Sequence, residues 1–469
     1  MENTDKNSSR NFTEGGIFAP LVLFALPVLL ALFLQAMYGA VDLLIVGQFA
    51  QTQDVSGVAT GSMLIQSITM VVCGFAMGIT VLVGQKIGEG KMHVVSSVIG
   101  SGVTLFFILA LFLSVIFFIF APFFSRLLHA PQEAFAETVS YIRICGGGFL
   151  FVVAYNLLGG IFRGLGDSSM PLITVAISCV FNIFADLFFV AVLQMGASGA
   201  AIATILAQAI SVFISLLIIK RRTLPFRLTK KSLKMDGEIT RKIIKIGFPL
   251  ALQDFLVGIS FLVIMAIVNS MGVVKSAGVG VAEKVSAFLM LVASAFSQSM
   301  SAFVAQNFGA QKTNRANKAL FYGIFLSLLA GGITGVATFL WGDKMSAIFS
   351  NDTEVIMQSF DYLKAYAIDC FLTAFLFCFI GYFNGIGKTL FVMAQGLVGA
   401  FCVRIPVAFC MSRTEKPTLF KIALATPCST VVQITLCLIV FFIFQHSRKL
   451  QFPRMLKRSF RNVMRNDSE

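Results

Sequence analysis

The chain has 469 residues, of which 57% are hydrophobic and 12% charged, with a formal net charge of +14. Soluble proteins carry roughly 45–50% apolar and about 25% charged residues. So few charges cannot clothe a water-facing surface, which excludes a soluble enzyme, a disordered chain, a coiled coil and a disulfide-stapled secreted domain.

In chain order, residues 1–16 are polar and mix acids with bases. They lack the charged-then-apolar shape of a cleavable signal and are expected to remain as a cytoplasmic tail. Twelve apolar stretches follow, each suited to the roughly 20 to 25 residues a helix needs to cross a bilayer. They run from Phe18 to Gly47, Gly57 to Val83, Val94 to Phe123, Val139 to Phe162, Pro171 to Leu193, Gly199 to Lys220, Lys245 to Met271, Gly278 to Asn307, Ala319 to Trp341, Phe360 to Phe383, Leu390 to Met411 and Leu419 to Phe444. All nine cysteines fall inside these stretches, without a paired zinc spacing, and read as small apolar packing residues. His93, His129 and His446 lie at or beyond span ends, so neither a metal cage nor an imidazole proton relay is available in the membrane.

The basic excess is unevenly placed. With the amino terminus in the cytoplasm, 26 of the 36 Lys and Arg residues fall on that side and 5 on the other. This bias predicts that both termini are cytoplasmic. The two basic blocks, Lys220 to Lys245 and Arg448 to Arg465, serve as topology signals and could also touch anionic lipid head groups. Nucleic-acid binding is not expected, because it would need these bases on a folded groove with stacking aromatics, and the aromatics are mostly Phe in lipid-facing runs.

The chain repeats itself. Gln85, Gly88 and Lys91 in "VGQKIGEGK" recur as Gln306, Gly309 and Lys312 in "AQNFGAQK", an offset of 221 (306 minus 85). The same offset pairs Gly57 with Gly278, Tyr141 with Tyr362, and "FRGLGD" from Phe162 with "FNGIGK" from Phe383, while Pro27 and Pro249 slip by one. Two copies of six spans sit the same way up, related by an axis along the membrane normal. The expected fold is an all-α membrane protein of twelve transmembrane helices in two six-helix bundles. Its divisions are a tail (1–16), a first bundle (17–220), a basic linker (221–244), a second bundle (245–445) and a basic tail (446–469). "GIGKT", from Gly385, resembles the end of a phosphate-binding loop, but Tyr382 stands where that loop needs glycine.

Charges at bilayer depth cost about 2.5 to 3.5 kcal/mol or more each, so acids there are site candidates. Asp42, Asp186, Asp254 and Glu283 qualify, with Asp369 less deep. In "NIFAD", Asn182 and Asp186 share a helix face one turn apart, where an amide oxygen and a carboxylate can ligate a small hard cation or hold a proton. At the 221 offset their counterparts are Val403 and Val407, so the acid is a speciality of the first half. Asp42 lies near the far end of its span, where an interfacial aspartate is an alternative to a functional one. Pro27 and Pro249 read as kinks or as hinges. Glu283 is followed by Lys284, although adjacent residues do not share a helix face, and Arg404 and Arg143 could neutralise acids or reach for the interface.

Several segments together resemble the multidrug and toxic compound extrusion family: "ALPVLLALFLQAMYGAVDLLIVGQF" with "GFPLALQDF", "FRGLGDSSMPLITVAISCVFNIFADLFF", "GASGAAIAT", and "FNGIGKTLFV" with "VRIP". The likeness runs from about Gly16 to Phe444 and is closest to the prokaryotic branch similar to the DNA-damage-inducible F transporters. It implies a cation site formed by Asp42, Asn182, Asp186 and Thr204, with Tyr141 and Asn156 in the surrounding hydrogen-bond network and Gln35 and Tyr38 facing the cavity nearby. The first four would be the metal ligands if the coupling ion is Na+. Another branch of the family uses acids in its second half, but Asp254 and Asp369 do not align in register, so that role is not carried over.

The expected function is a secondary antiporter that exports amphipathic, often cationic, organic compounds in exchange for Na+ or H+, with no cofactor. Its expected partners are drug-like small molecules and membrane lipids. It is expected to act as a monomer, multi-pass in the cell membrane. A flippase of lipid-linked precursors, with a cavity lined by several bases, is the first rival. A membrane-embedded enzyme or receptor is the second, and no intramembrane nucleophile with a base supports it.

Overall fold

The computed structural model describes residues 12–221 and 234–466, with side chains as far as His446. Residues 1–11, 222–233 and 467–469 lie outside the described residues, and with them fall half of the basic linker, much of the first tail and the side chains of the second. Among the described residues the regular elements are all helical.

The helices are α1 (Phe18–Phe49), α2 (Thr52–Gly88), α3 (Met92–Leu127), α4 (Phe135–Gly147 and Phe149–Gly164, bent by 52°), α5 (Ser169–Asp186, continued by a π-helix Leu187–Val192) and α6 (Gly196–Arg221). The second half has α7 (Gly237–Asn269), α8 (Val273–Gly309), α9 (Thr313–Ala347), α10 (Thr353–Gly385), α11 (Thr389–Leu397, a π-helix Val398–Arg404, then Ile405–Ser412) and α12 (Leu419–Ala423 with Ala425–Asn466). Eleven are long and apolar enough to cross a membrane, and the bent α4 pair makes twelve. The expected spans all appear, and most extend by a turn or so beyond the apolar stretch, because polar residues at the ends continue the backbone hydrogen bonding into the interface.

Four helices end alike on the side where the first described residues lie. After α2, α4, α8 and α10 the chain turns through Gly90, Gly166, Gln311 and Gly387, each at positive φ. In each turn the next amide reaches back five residues: Lys91 to Lys86, Asp167 to Phe162, Lys312 to Asn307 and Lys388 to Phe383. These are Schellman caps. The "GIGKT" run is thus the end of one helix and the start of the next.

The bundles exchange helix ends. Leu21, Phe24 and Val28 of α1 lie in the second half's core with Met300, Phe303 and Phe383, whereas Ile45 and Val46 lie in the first half's core with Val58. Conversely, Ile243 of α7 lies in the first half's core with Val83 and Val95, while Ile264 and Val268 lie with Val279 and Tyr362. Packing therefore crosses the sequence boundary at residue 221–244. Pro249 falls where α7 changes halves; Pro27 lies in the crossed part of α1.

Residues 12–16 extend this exchange. Phe12 is fully buried between Phe24 and Phe303, at ring distances of 5.1 and 5.0 Å. Arg315 donates to the carbonyls of Phe12, Glu14, Gly15 and Gly16, Lys312 to that of Thr13, and Asn307 also to that of Phe12. Part of the expected tail is thus a strap on the second half. Phe12→Ala is expected to cost about 3–5 kcal/mol by opening a cavity there. It should lower the thermal midpoint of the detergent-solubilised protein, and an unchanged midpoint would count against the strap.

At this tail end the two halves close through a symmetric seam. Gln85 Nε2 donates to the Gly385 carbonyl at 2.9 Å, and Gln306 Nε2 to the Gly164 carbonyl at 3.0 Å. A Cβ on Gly88 would overlap the Gln306 carbonyl oxygen, and one on Gly309 would overlap that of Gln85. Further along, Gly78 meets Gly247 and Gly74 meets Ala251, again backbone on backbone. Small residues let helices approach this closely in lipid. At the opposite end, named hydrogen bonds stay within one half: Ala197 N to Asp54, Ser140 with Ser198, Lys275 to the Pro417 carbonyl and Phe420 N to Asp361.

Candidate functional site

The face of α5 that carries Asn182, Ala185 and Asp186 is buried, as the one-turn spacing predicts. α1 and α6 flank it. The small-residue start of α6, from Gly196 through Ala207, lets α5 approach closely enough for Ser178 Oγ to donate to the Ala207 carbonyl at 2.8 Å. A π-helix begins immediately after Asp186, and Leu193 N reaches back five residues to the Phe188 carbonyl. Such wide turns recur at functional sites.

Into this wedge α1 brings Asp42, which is 5% exposed, against Asn182 and Asp186, both 0% exposed. The Asp42 carboxyl lies beside Asp186 and Asn182. Thr204 Oγ1 donates to Asp42 Oδ2 at 3.0 Å, and the Tyr38 hydroxyl donates to the Thr204 carbonyl at 3.0 Å. Five buried polar atoms in the group lack a protein partner: Asp42 Oδ1, both oxygens of Asp186, and the amide oxygen and nitrogen of Asn182. Two neighbouring carboxylates in a low-dielectric interior need a proton or a cation between them. Carboxylate, amide and hydroxyl oxygens are the donors a small hard cation takes.

Four residues expected here, Asp42, Asn182, Asp186 and Thr204, thus come together from three helices. Tyr141 joins them: it neighbours Asp42, Tyr38 and Cys145, with its ring against Gly61 of α2. Asn156 does not. Its Nδ2 donates to the Val152 carbonyl at 2.8 Å and its Oδ1 accepts from Cys73 Sγ at 3.1 Å. Tyr38, expected to face the cavity, is committed to the cluster through Thr204, while Gln35, one turn before it, is partly exposed. No sequence signal marked Tyr38 for this role, because its acceptor is a backbone carbonyl on another helix.

The remaining ionisable residues separate clearly. Asp254 is exposed near Cys73, on the side of α7 next to α2, and Arg143 is exposed. Asp369 is 2% exposed, and its two oxygens accept from Thr373 at 2.8 Å and Thr430 at 2.7 Å. Lys284 turns away from Glu283 toward the Phe349 ring, 6.0 Å from its centroid.

One expectation needs correction. At an offset of 221 the buried positions 171, 174, 175, 178 and 179 of α5 match the buried positions 392, 395, 396, 399 and 400 of α11. Beyond that the match slips by one, so Asn182 and Asp186 correspond to the buried Arg404 and Ala408 rather than to Val403 and Val407. The slip falls inside the π-helix Val398–Arg404. A π-turn takes up one additional residue, which rotates everything after it by one position.

Comparison with known proteins agrees with this architecture. A family model described as MatE matches twice, over residues 27–188 and 249–410, copies that start 222 residues apart (249 minus 27). The probable multidrug resistance protein YoeA of Bacillus subtilis is 24% identical over 95% of this chain and 97% of its own length. The probable multidrug resistance protein YpnP of the same organism is 26% identical over 84% of this chain and 88% of its own. A solved structure described as the outward-facing conformation of a multidrug resistance MATE family transporter of the MOP superfamily superposes with a TM-score of 0.86 at 18% identity. It covers 94% of this chain and 98% of that one.

Proposed function

The chain belongs to the MatE family, and from that premise we propose that it is a multidrug-efflux antiporter whose coupling ion, Na+ or H+, binds between Asp42 and Asp186. The observation that carries the reading is the convergence of five buried, unpartnered polar atoms on one point of the first half. Names of relatives as multidrug resistance proteins support the export of drug-like compounds. The positive-inside bias supports a cytoplasmic tail end in the cell membrane. Both halves lie in one chain, so a monomer suffices.

In this reading the seam of Gln85, Gln306 and the paired glycines closes the cytoplasmic side, and the halves part toward the outside. A cation or proton that enters the pocket draws Asp42 and Asp186 together; its departure leaves two like charges that favour another packing of α1 against α5. An ion biases the two states only by its different affinity for each. α1 and α7 each span both halves, so rocking must bend them near Pro27 and Pro249, where proline already removes a backbone hydrogen bond. The chain's 50 phenylalanines offer apolar wall material for flat amphipathic substrates.

The test is efflux of ethidium from vesicles under an imposed Na+ or pH gradient. Wild type should export under one of the two gradients, and Asp186→Asn under neither. Normal export by the variant under both would remove the site assignment.

A further inference from the structure

The second half holds a pocket built on the plan of the cation site, with a fixed base among its lining residues. With the 222-residue spacing between copies, Asp42, Asn182, Asp186 and Thr204 correspond to Ile264, Arg404, Ala408 and Thr426. All four counterparts are buried. Tyr362, the repeat of Tyr141, is fully buried beside them. Two carboxylates have become isoleucine and alanine, and the amide has become a guanidinium. The π-helix that ends at Arg404 turns this residue, rather than Val403, onto the buried face.

Arg404 is held from several sides. Its Nη1 donates to Ser260 Oγ at 3.1 Å, its guanidinium carbon lies 4.4 Å from the centre of the Phe261 ring, and its Nε is buried without a partner. Its charged and hydroxyl neighbours across the pocket are Asp369 on α10 and the tyrosines Tyr362 and Tyr366; Glu283 on α8 faces the same tyrosines. Arg404 therefore faces one buried acid, Asp369, while the half-buried Glu283 lies beyond the tyrosines, and the base occupies the position of a cation ligand in the other half.

We infer that Arg404 is a resident cation: its guanidinium takes in the second half the place that the exchangeable coupling ion takes in the first, so the chain binds one coupling ion and not two. The inference rests on the cation reading of the first half. Arginine remains charged at any working pH, so this pocket stays neutralised throughout the cycle while only Asp42 and Asp186 change state. Removing the guanidinium leaves the buried Asp369 without its neighbouring counter-charge, an unfavourable arrangement that an entering monovalent cation relieves. The oxygens left behind, on Asp369, Ser260 and Thr426, suit such a hard cation.

The experiment counts ions on the full-length detergent-solubilised protein, as 22Na+ held at saturation in equilibrium dialysis and, in parallel, as protons taken up on acidification in weak buffer. Wild type and Arg404→Lys should each hold one exchangeable ion per chain. Arg404→Gln should hold two, and Arg404→Gln with Asp369→Asn one again, with gel filtration and thermal unfolding showing that each variant is folded. Two ions on wild type, or one on folded Arg404→Gln, would overturn the inference. Asp186→Asn separates the two readings: if it keeps the wild-type ion, the first-half assignment falls, whereas the role of Arg404 is decided by the gain of an ion in Arg404→Gln alone.

Discussion

Asp186→Asn should abolish gradient-driven export and, at the same time, make the protein harder to unfold. Asp186 is 0% exposed, neither of its oxygens has a protein donor, and the carboxyl of Asp42 lies beside it. A buried, uncompensated charge costs several kcal/mol, so a neutral isostere relieves about 1–3 kcal/mol once reorganisation is allowed for. A change of that size moves the thermal midpoint of a chain of this length by about 1–5 °C upward. The activity moves the other way, because the amide neither takes up a proton nor supplies a negative oxygen to a cation. Asp42→Asn should behave alike, since an amide oxygen can still accept from Thr204. Thermal unfolding in detergent read beside vesicle efflux makes the check; loss of both stability and transport would point to a structural carboxylate. Strain kept at a site for the sake of function is a familiar trade.

Leucine at Gly88 or Gly309 should hold the tail end open and reduce transport by about fivefold or more. At both positions a Cβ would overlap a carbonyl oxygen of the facing half, and a backbone oxygen cannot swing aside as a side-chain end can. Overpacking of this kind costs about 1–3 kcal/mol or more. Since about 1.4 kcal/mol is a factor of ten in an equilibrium, the closed state becomes a minor one. Hydrogen exchange should rise in the Schellman turns after α2 and α8, where the chain is held by the seam. Gly237→Ala is the control, because a Cβ there meets nothing within 4 Å. Unchanged exchange and transport in the leucine variants would mean that the seam is not a gate.

The spans, their grouping as six plus six, and the acids Asp42 and Asp186 were all legible in the primary structure. Each depends on a local quantity: the hydropathy of some twenty residues, the recurrence of a motif, or the cost of one charge in hydrocarbon. The paired motifs were visible too, but their meaning was not. Gln85 and Gln306 read only as repeats until the fold set each against a carbonyl of the other copy, Gly385 and Gly164. Asn156 shows the limit from the other side: a residue carried over by resemblance spends its amide on Cys73 and Val152.

From its sequence by itself, this protein is determined to be a twelve-span membrane protein made of two like halves, with carboxylates in the first that require an explanation. Only the tertiary structure decided which of them meet, that Tyr38 serves the site, that α1 and α7 exchange ends between halves, and that Arg404 is the repeat counterpart of Asn182. The physical reason lies in range. Hydropathy acts residue by residue along a helix, whereas a partner on another helix is chosen by how the surfaces pack, and one extra residue in a π-turn rotates a whole face without leaving a mark in the hydrophobic pattern.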